Sequence, residues 1–172
     1  MRTRRLWRWS GFIGSVLLLS VGVASAEDIS GLITSTRTIR ENSRLVGDVT
    51  CTVTGAPCIL FGASHIDLRL NGFTMTGLAD PNTACNGGQT AGEMGISTGG
   101  QSDVEVRGPG IVQRFRADGI FFTGTLLGKI EGLTTTTNCM SGIRVAANSS
   151  RISIGSNVSV RNGNVTSSCG GI

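Results

Sequence analysis

Ile66-Asp67-Leu68-Arg69-Leu70-Asn71-Gly72-Phe73-Thr74-Met75 alternates apolar with charged residues, turns at Asn-Gly and resumes as a second short run. That is strand spacing on both sides of a turn, not the 3.6-residue spacing of a helix. Its first half has counterparts at Val104-Glu105-Val106-Arg107, Ile130-Glu131 and Ile152-Ser153-Ile154, with turns at Gly108-Pro109-Gly110 and Gly155-Ser156-Asn157. A third short strand follows the turn, as in Phe73-Thr74-Met75 and Val158-Ser159-Val160. Gly-Ile pairs mark the repeat: Gly95-Ile96, Gly119-Ile120, Gly142-Ile143 and Gly171-Ile172, spaced by 24, 23 and 29 residues. A second apolar column follows at nearly constant offset. Ile96 to Val104, Ile120 to Ile130 and Ile143 to Ile152 are 8, 10 and 9 residues, and Ile59 to Ile66, at 7, adds an earlier copy.

Three short strands per repeat of roughly 22 to 25 residues, separated by Gly/Asn turns, describe one rung of a parallel β-helix. The expected fold is all-β, a right-handed parallel β-helix solenoid of about four to five rungs over residues 45–172. Over that span the chain resembles the right-handed parallel β-helix repeat proteins, the superfamily that includes the pectate lyases. The resemblance rests on Gly-Asp-Val-Thr-Cys (47–51), Leu-Asn-Gly-Phe-Thr-Met-Thr-Gly (70–77) and the later Gly-Ile rungs. It specifies architecture, and this coil hosts unrelated activities. The alternative is a β-sandwich of short strands, which has no reason to preserve a column of aligned Ile and Val. Residues 27–44 lead into the coil, with Ile33 to Ile39 as a strand or Ile29, Leu32, Ile33 and Thr36 as one face of a capping helix.

At 172 residues, 39% of them hydrophobic and 26 of them glycine, the chain fits one modest domain. Arg2, Arg4, Arg5 and Arg8 precede an apolar run from Gly11 to Val23 and then Ala24-Ser25-Ala26, the form of a secretory signal peptide over residues 1–26. The run is short of the ~20 residues that cross a bilayer. That leader takes four of the 15 basic residues, so the remainder balances its 11 acids and gives no ground for a nucleic-acid or membrane partner. The expected location is extracellular or periplasmic.

All five Cys lie after the leader, where export favours disulfides. Cys51 and Cys58 flank a turn and are expected to bond. Cys139 and Cys169 are 30 apart against a local period of 29, so they would stack on successive rungs. Cys85 could instead take Cys139. The odd Cys, together with the opening of a new rung at Gly171-Ile172, points to truncation at the C-terminus or to an end covered by a second copy, an end-to-end self-association. Between Ile59 and Ile96 the period stretches to 37, so residues 78–94 form an insertion that projects from one face.

Asp67, Glu105 and Glu131 are expected to occupy one position in consecutive rungs as an outward carboxylate column. Such a column could hold Ca2+, which prefers oxygen ligands, and the resemblance implies Ca2+ in a comparable place, where it bridges an acidic sugar. Arg69 and Arg107, two residues along, make the competing reading a surface salt-bridge ladder. A metal thiolate site is not expected, since there is no C-x-x-C and only one His. His65, at the start of a strand, has no carboxylate motif beside it and reads as a solvated turn residue. No complete catalytic set stands out, and the paired-Asp, Gly-His-Gly and Arg-Ile-Lys motifs of polygalacturonases are absent. Thr134 to Thr137 with Asn138 reads as a turn and polar stack, and Asn148, Asn157 and Asn164 begin glycosylation sequons. The expected function is a secreted, non-catalytic module presenting a face to polysaccharide or a cell-surface glycan. The alternative is the N-terminal piece of a polysaccharide lyase or glycoside hydrolase.

Overall fold

Every strand pairing among the described residues is parallel, which excludes the antiparallel sandwich. The structure, a computed structural model, describes residues 26–80, 85, 91–146 and 148–163. Residues 1–25 of the leader, Cys169, the sequon at Asn164, Gly171-Ile172 and most of the insertion lie outside them.

The chain alternates between two sheets. The larger runs β1 (Glu27–Ile33), β3 (Ser43–Cys51), β5 (Ile66–Arg69), β8 (Val104–Gln113), β10 (Leu126–Thr136) and β12 (Ser150–Gly155), with β6 (Thr74–Thr76) beside β3 and β8 and β13 (Val158–Val160) beside β10. The smaller contains β2 (Arg37–Ile39), β4 (Ile59–Phe61), β7 (Ile96–Ser97), β9 (Ile120–Phe122) and β11 (Ile143–Val145). Each return to a sheet adds the next strand to the last, an arrangement compatible with a solenoid. No helix occurs among the described residues. Ile33 to Ile39 is neither one strand nor a helix, because the chain leaves the larger sheet at Ile33 and enters the smaller at Arg37. Gly108-Pro109-Gly110, expected as a turn, lies inside β8, which covers both the second and third strand of its coil.

The Gly-Ile column has a physical cause. Ile59, Ile96, Ile120 and Ile143 pair in register and are fully buried, each worth about 1.5–3 kcal/mol as apolar surface leaves water. The N–H of Ile96 donates to the Gly119 carbonyl at 3.0 Å and that of Ile120 to the Gly142 carbonyl at 3.0 Å. A Cβ on Gly95 would stand 2.5 Å from the Gly119 oxygen, and one on Gly119 would stand 2.7 Å from the Gly142 oxygen. Glycine is required there so that successive coils can close to hydrogen-bonding distance. Gly119→Ala is therefore expected to cost about 3 kcal/mol, since the obstacle is backbone that cannot rotate away. Urea unfolding checks this, and a loss below about 1 kcal/mol would contradict it.

The second apolar column is shifted from its expected register. Ile66 and Val104 pair with Gly128 and then Ile152, while Ile130 pairs with Val106 and Ile154. The cause is Phe122: a Cβ on Gly128 would lie 2.5 Å from its ring, so that ring fills the space a side chain at 128 would take. At the first described coil, Glu27 pairs across to Ser43, whose column continues through Leu68, Val106, Ile130 and Ile154. Arg37 stands likewise in the column of Ile59. These two core-column positions carry opposite charges that bond each other, so a salt bridge takes the place of apolar packing at the start of the stack.

Cys51 is bonded to Cys58. Cys139 is bonded to Cys85, with Cα atoms 5.5 Å apart, which corrects the expected Cys139–Cys169 pairing. A period of 29 relates successive rungs only, whereas Cys85 lies outside that spacing, in the insertion. Its end is anchored on the Cys51–Cys58 loop, where the Gly55 N–H donates to Glu93 Oε1 at 2.9 Å, and Arg116 pairs with the same carboxylate at 3.4 Å.

Candidate anion-binding face

The outward face of β3, β5, β8 and β10 carries the expected residues in a different order. Asp67 pairs across to Glu105 and Arg69 to Arg107, as expected. Glu105 then pairs with Lys129, and Arg107 with Glu131. Glu131 thus does not continue the carboxylate column. It stands two residues further along, for the reason given by Phe122 and Gly128, and the three acids are not gathered at one place. Among the described residues no group of three or more His, Cys, Asp or Glu is arranged to hold a metal ion.

The column that does form is basic. Asp28, Arg44, Arg69, Arg107 and Glu131 follow one another on successive strands, about 4.8 Å apart. Like charges directly opposite each other destabilise a sheet. A stabilising ladder alternates sign between strands, as β8 and β10 do here. β3, β5 and β8 instead stack arginine on arginine and, on β5 and β8, acid on acid.

The repulsion is relieved by neighbouring carboxylates, within the strand on β5 and β8 and from β1 to β3 across strands. Arg69 Nε donates to Asp67 Oδ2 at 2.6 Å, Arg44 Nε to Asp28 Oδ1 at 2.7 Å, and Arg107 bonds Glu105. Lys129 meets Glu131 at 2.7 Å. The hydrogen bond from Lys129 holds the Glu131 carboxyl below the usual range, and Glu105 raises Arg107 above its ordinary value. On β5 and β8 the acids lie deeper than the bases: the Asp67 side chain is 13% exposed against 56% for Arg69, and Glu105 29% against 39% for Arg107. On these two strands the guanidinium groups are therefore the outer layer, each oriented by a carboxylate beneath it, whereas Arg44 and Asp28 are about equally exposed.

Three shallow depressions follow the column. One of about 210 Å3 is bounded by Asn42, Arg44, Asp67 and Arg69. The next, about 230 Å3, adds His65, Asp103, Glu105 and Arg107. The third, about 510 Å3, runs from Arg69 and Arg107 past Asn71 and Pro109 to Glu131 and Ser156. Arg69 lines all three, so they form one furrow across the strands.

His65 is exposed at a turn, as expected, but it has a carboxylate beside it. Its Nδ1 lies 2.8 Å from Asp103 Oδ2, and both residues adopt left-handed backbone angles at the same corner of neighbouring coils. The signal for this pair was available in the spacing, since each residue immediately precedes its strand, at Ile66 and Val104. Arg44 and Lys129 also escaped sequence reasoning, because their places depend on register. Outside the furrow, Asp118 is buried against the Ser141 N–H and Arg144, and burial raises its pKa. Arg144 lies over the Phe121 ring at 5.1 Å. The Asn157 amide is held by the Ile130 carbonyl and the Leu133 N–H, whereas Asn148 is exposed. None of the family models, curated proteins or solved structures compared with the chain matches it.

Proposed function

We propose that this chain is an exported right-handed parallel β-helix, akin to the pectate-lyase-like repeat proteins, that binds an acidic polysaccharide along its arginine column without cleaving it. The observation that carries the reading is the stacking of Arg44, Arg69 and Arg107 like on like, an arrangement the fold does not need and a stabilising ladder would avoid. Right-handedness is supported by the strong preference of parallel crossover connections for that hand. Export is supported by the Arg-rich apolar leader sequence and by two disulfides, which suit an oxidising compartment. The described residues contain no Trp or Tyr to stack on sugar rings, so recognition rests on charge and on the planar donor fork of arginine, which matches a carboxylate. Ca2+ is not needed for this mode, because the guanidinium groups already supply the cations.

Electrophoresis of the full chain, expressed for export, through gels containing polygalacturonate tests the reading, with dextran gels as the neutral reference. Retardation by polygalacturonate alone, weakening with salt, is expected. Arg69→Gln/Arg107→Gln should weaken binding at least tenfold, the equivalent of about 1.4 kcal/mol, while Arg161→Gln, on the far side of β13, should not. Equal mobility in both gels, or retardation that survives the double variant in a folded chain, would overturn it.

One observation favours the alternative of a lyase. His65, oriented by Asp103, lines the same furrow as Arg69 and Arg107. Its Nε2 could take the proton beside a uronate carboxylate as the glycosidic C–O bond breaks, leaving a C=C bond and an oxygen that takes a proton from water. Unsaturated product in the same incubation, lost in His65→Gln, would select this reading.

A further inference from the structure

The arginine column has two ends, and both are acidic. Asp28 precedes Arg44 in register, and Glu131 follows Arg107. Beyond Glu131 the next position is Gly155, which has no side chain to offer. Asp28 bonds Arg44, while Glu131 is held by Lys129 and faces Arg107 at 4.0 Å. Both terminal carboxylates are at least a third exposed, so they meet whatever lies on the column. A linear polyanion running across the strands would find three successive guanidinium forks and then, at either end, a like charge.

From this placement we infer that the site takes three consecutive anionic repeats of a polymer laid along the stack, and that Asp28 and Glu131 set that length. The inference rests on the binding reading above and adds to it the size and direction of the ligand. Each repeat that reaches an arginine gains a charge-assisted hydrogen bond in a fixed fork geometry. A fourth repeat gains no partner and is placed beside a carboxylate at about one strand spacing. The polymer axis follows the column, perpendicular to the strands, because only that direction meets a cation on each of β3, β5 and β8. The chemical class is a chain with one negative charge per repeat at about that spacing, such as an oligouronate.

Titration calorimetry of the full chain with purified oligogalacturonates of two to six units tests this. Affinity is expected to rise roughly tenfold per unit up to three and to level off beyond, apart from the small statistical gain of sliding a longer chain through one site. Glu131→Arg adds a fourth guanidinium in register and should move the plateau from three units to four. Should that variant fail to fold, Glu131→Gln serves instead, and a tetramer should then bind more tightly than a trimer. Affinity that climbs steadily through six units, or a plateau unmoved by either folded variant, would overturn the length limit while leaving the binding reading standing. Failure of every oligomer, together with unretarded migration in polygalacturonate, would remove the binding reading and the length limit with it.

Discussion

Asn138→Leu should destabilise the protein by about 4 kcal/mol, more than removal of any single ion pair on its surface. Asn138 is fully buried, and its amide serves three separate parts of the stack. Its Oδ1 accepts from the Phe115 N–H at 3.0 Å, and its Nδ2 donates to the Val112 carbonyl at 3.1 Å and to Asn162 Oδ1 at 2.9 Å. Leucine keeps the branched outline with two bulkier methyl groups and removes all three bonds. The Phe115 N–H stays in the interior with no replacement partner, and the Val112 carbonyl and Asn162 each lose a donor, each loss at about 1–3 kcal/mol. The side chain also lies over Gly119, where an added Cβ would meet Nδ2 at 2.7 Å, so a branched leucine has little room to adjust. Urea unfolding of the variant should show a lower midpoint with an unchanged slope. A loss under about 1.5 kcal/mol would mean that the asparagine network is not what joins these coils.

The two disulfides should differ in worth. Cys85–Cys139 closes a separation of 54 residues and Cys51–Cys58 one of 7. If a cross-link acts by restricting the unfolded chain, the longer loop is worth about 4 kcal/mol and the shorter about 2.5. Cys85→Ser/Cys139→Ser is thus expected to lower the thermal midpoint further than Cys51→Ser/Cys58→Ser, scanned without reductant. The reverse order would count against the Cys85–Cys139 pairing as a stabilising staple. It would place the stabilisation in the Gly55–Glu93 and Arg116–Glu93 contacts that hold the same insertion.

Much of the architecture was legible. Alternation at Ile66 to Leu70 announced strands, and Gly-Ile at 95, 119 and 142 announced coils in contact, because a buried Ile on one coil needs a bare carbonyl on the next. The polar stack at Asn138 was legible too, although not its reach to Asn162. Glu131 was placed wrongly for a definite reason. Its segment was aligned by matching Ile130 to Val104, and a slip of two residues keeps every side chain on its proper face, so the hydrophobic pattern cannot detect it. The offset of 10 residues from Ile120, against 8 from Ile96, was the available warning.

Residue pattern alone therefore determined that the described chain is β, parallel and stacked, since period-two burial and recurring Gly-Ile pairs leave few other ways to hide the isoleucines. Tertiary packing decided which charges meet. The Phe122 ring occupies the volume above residue 128, glycine yields to it, and Ile130 moves to the column of Val106. That shift in the interior carries Glu131 to the end of the arginines rather than the end of the acids. A slip of two residues leaves every side chain on its own face, so the outer charges follow wherever the core side chains fit.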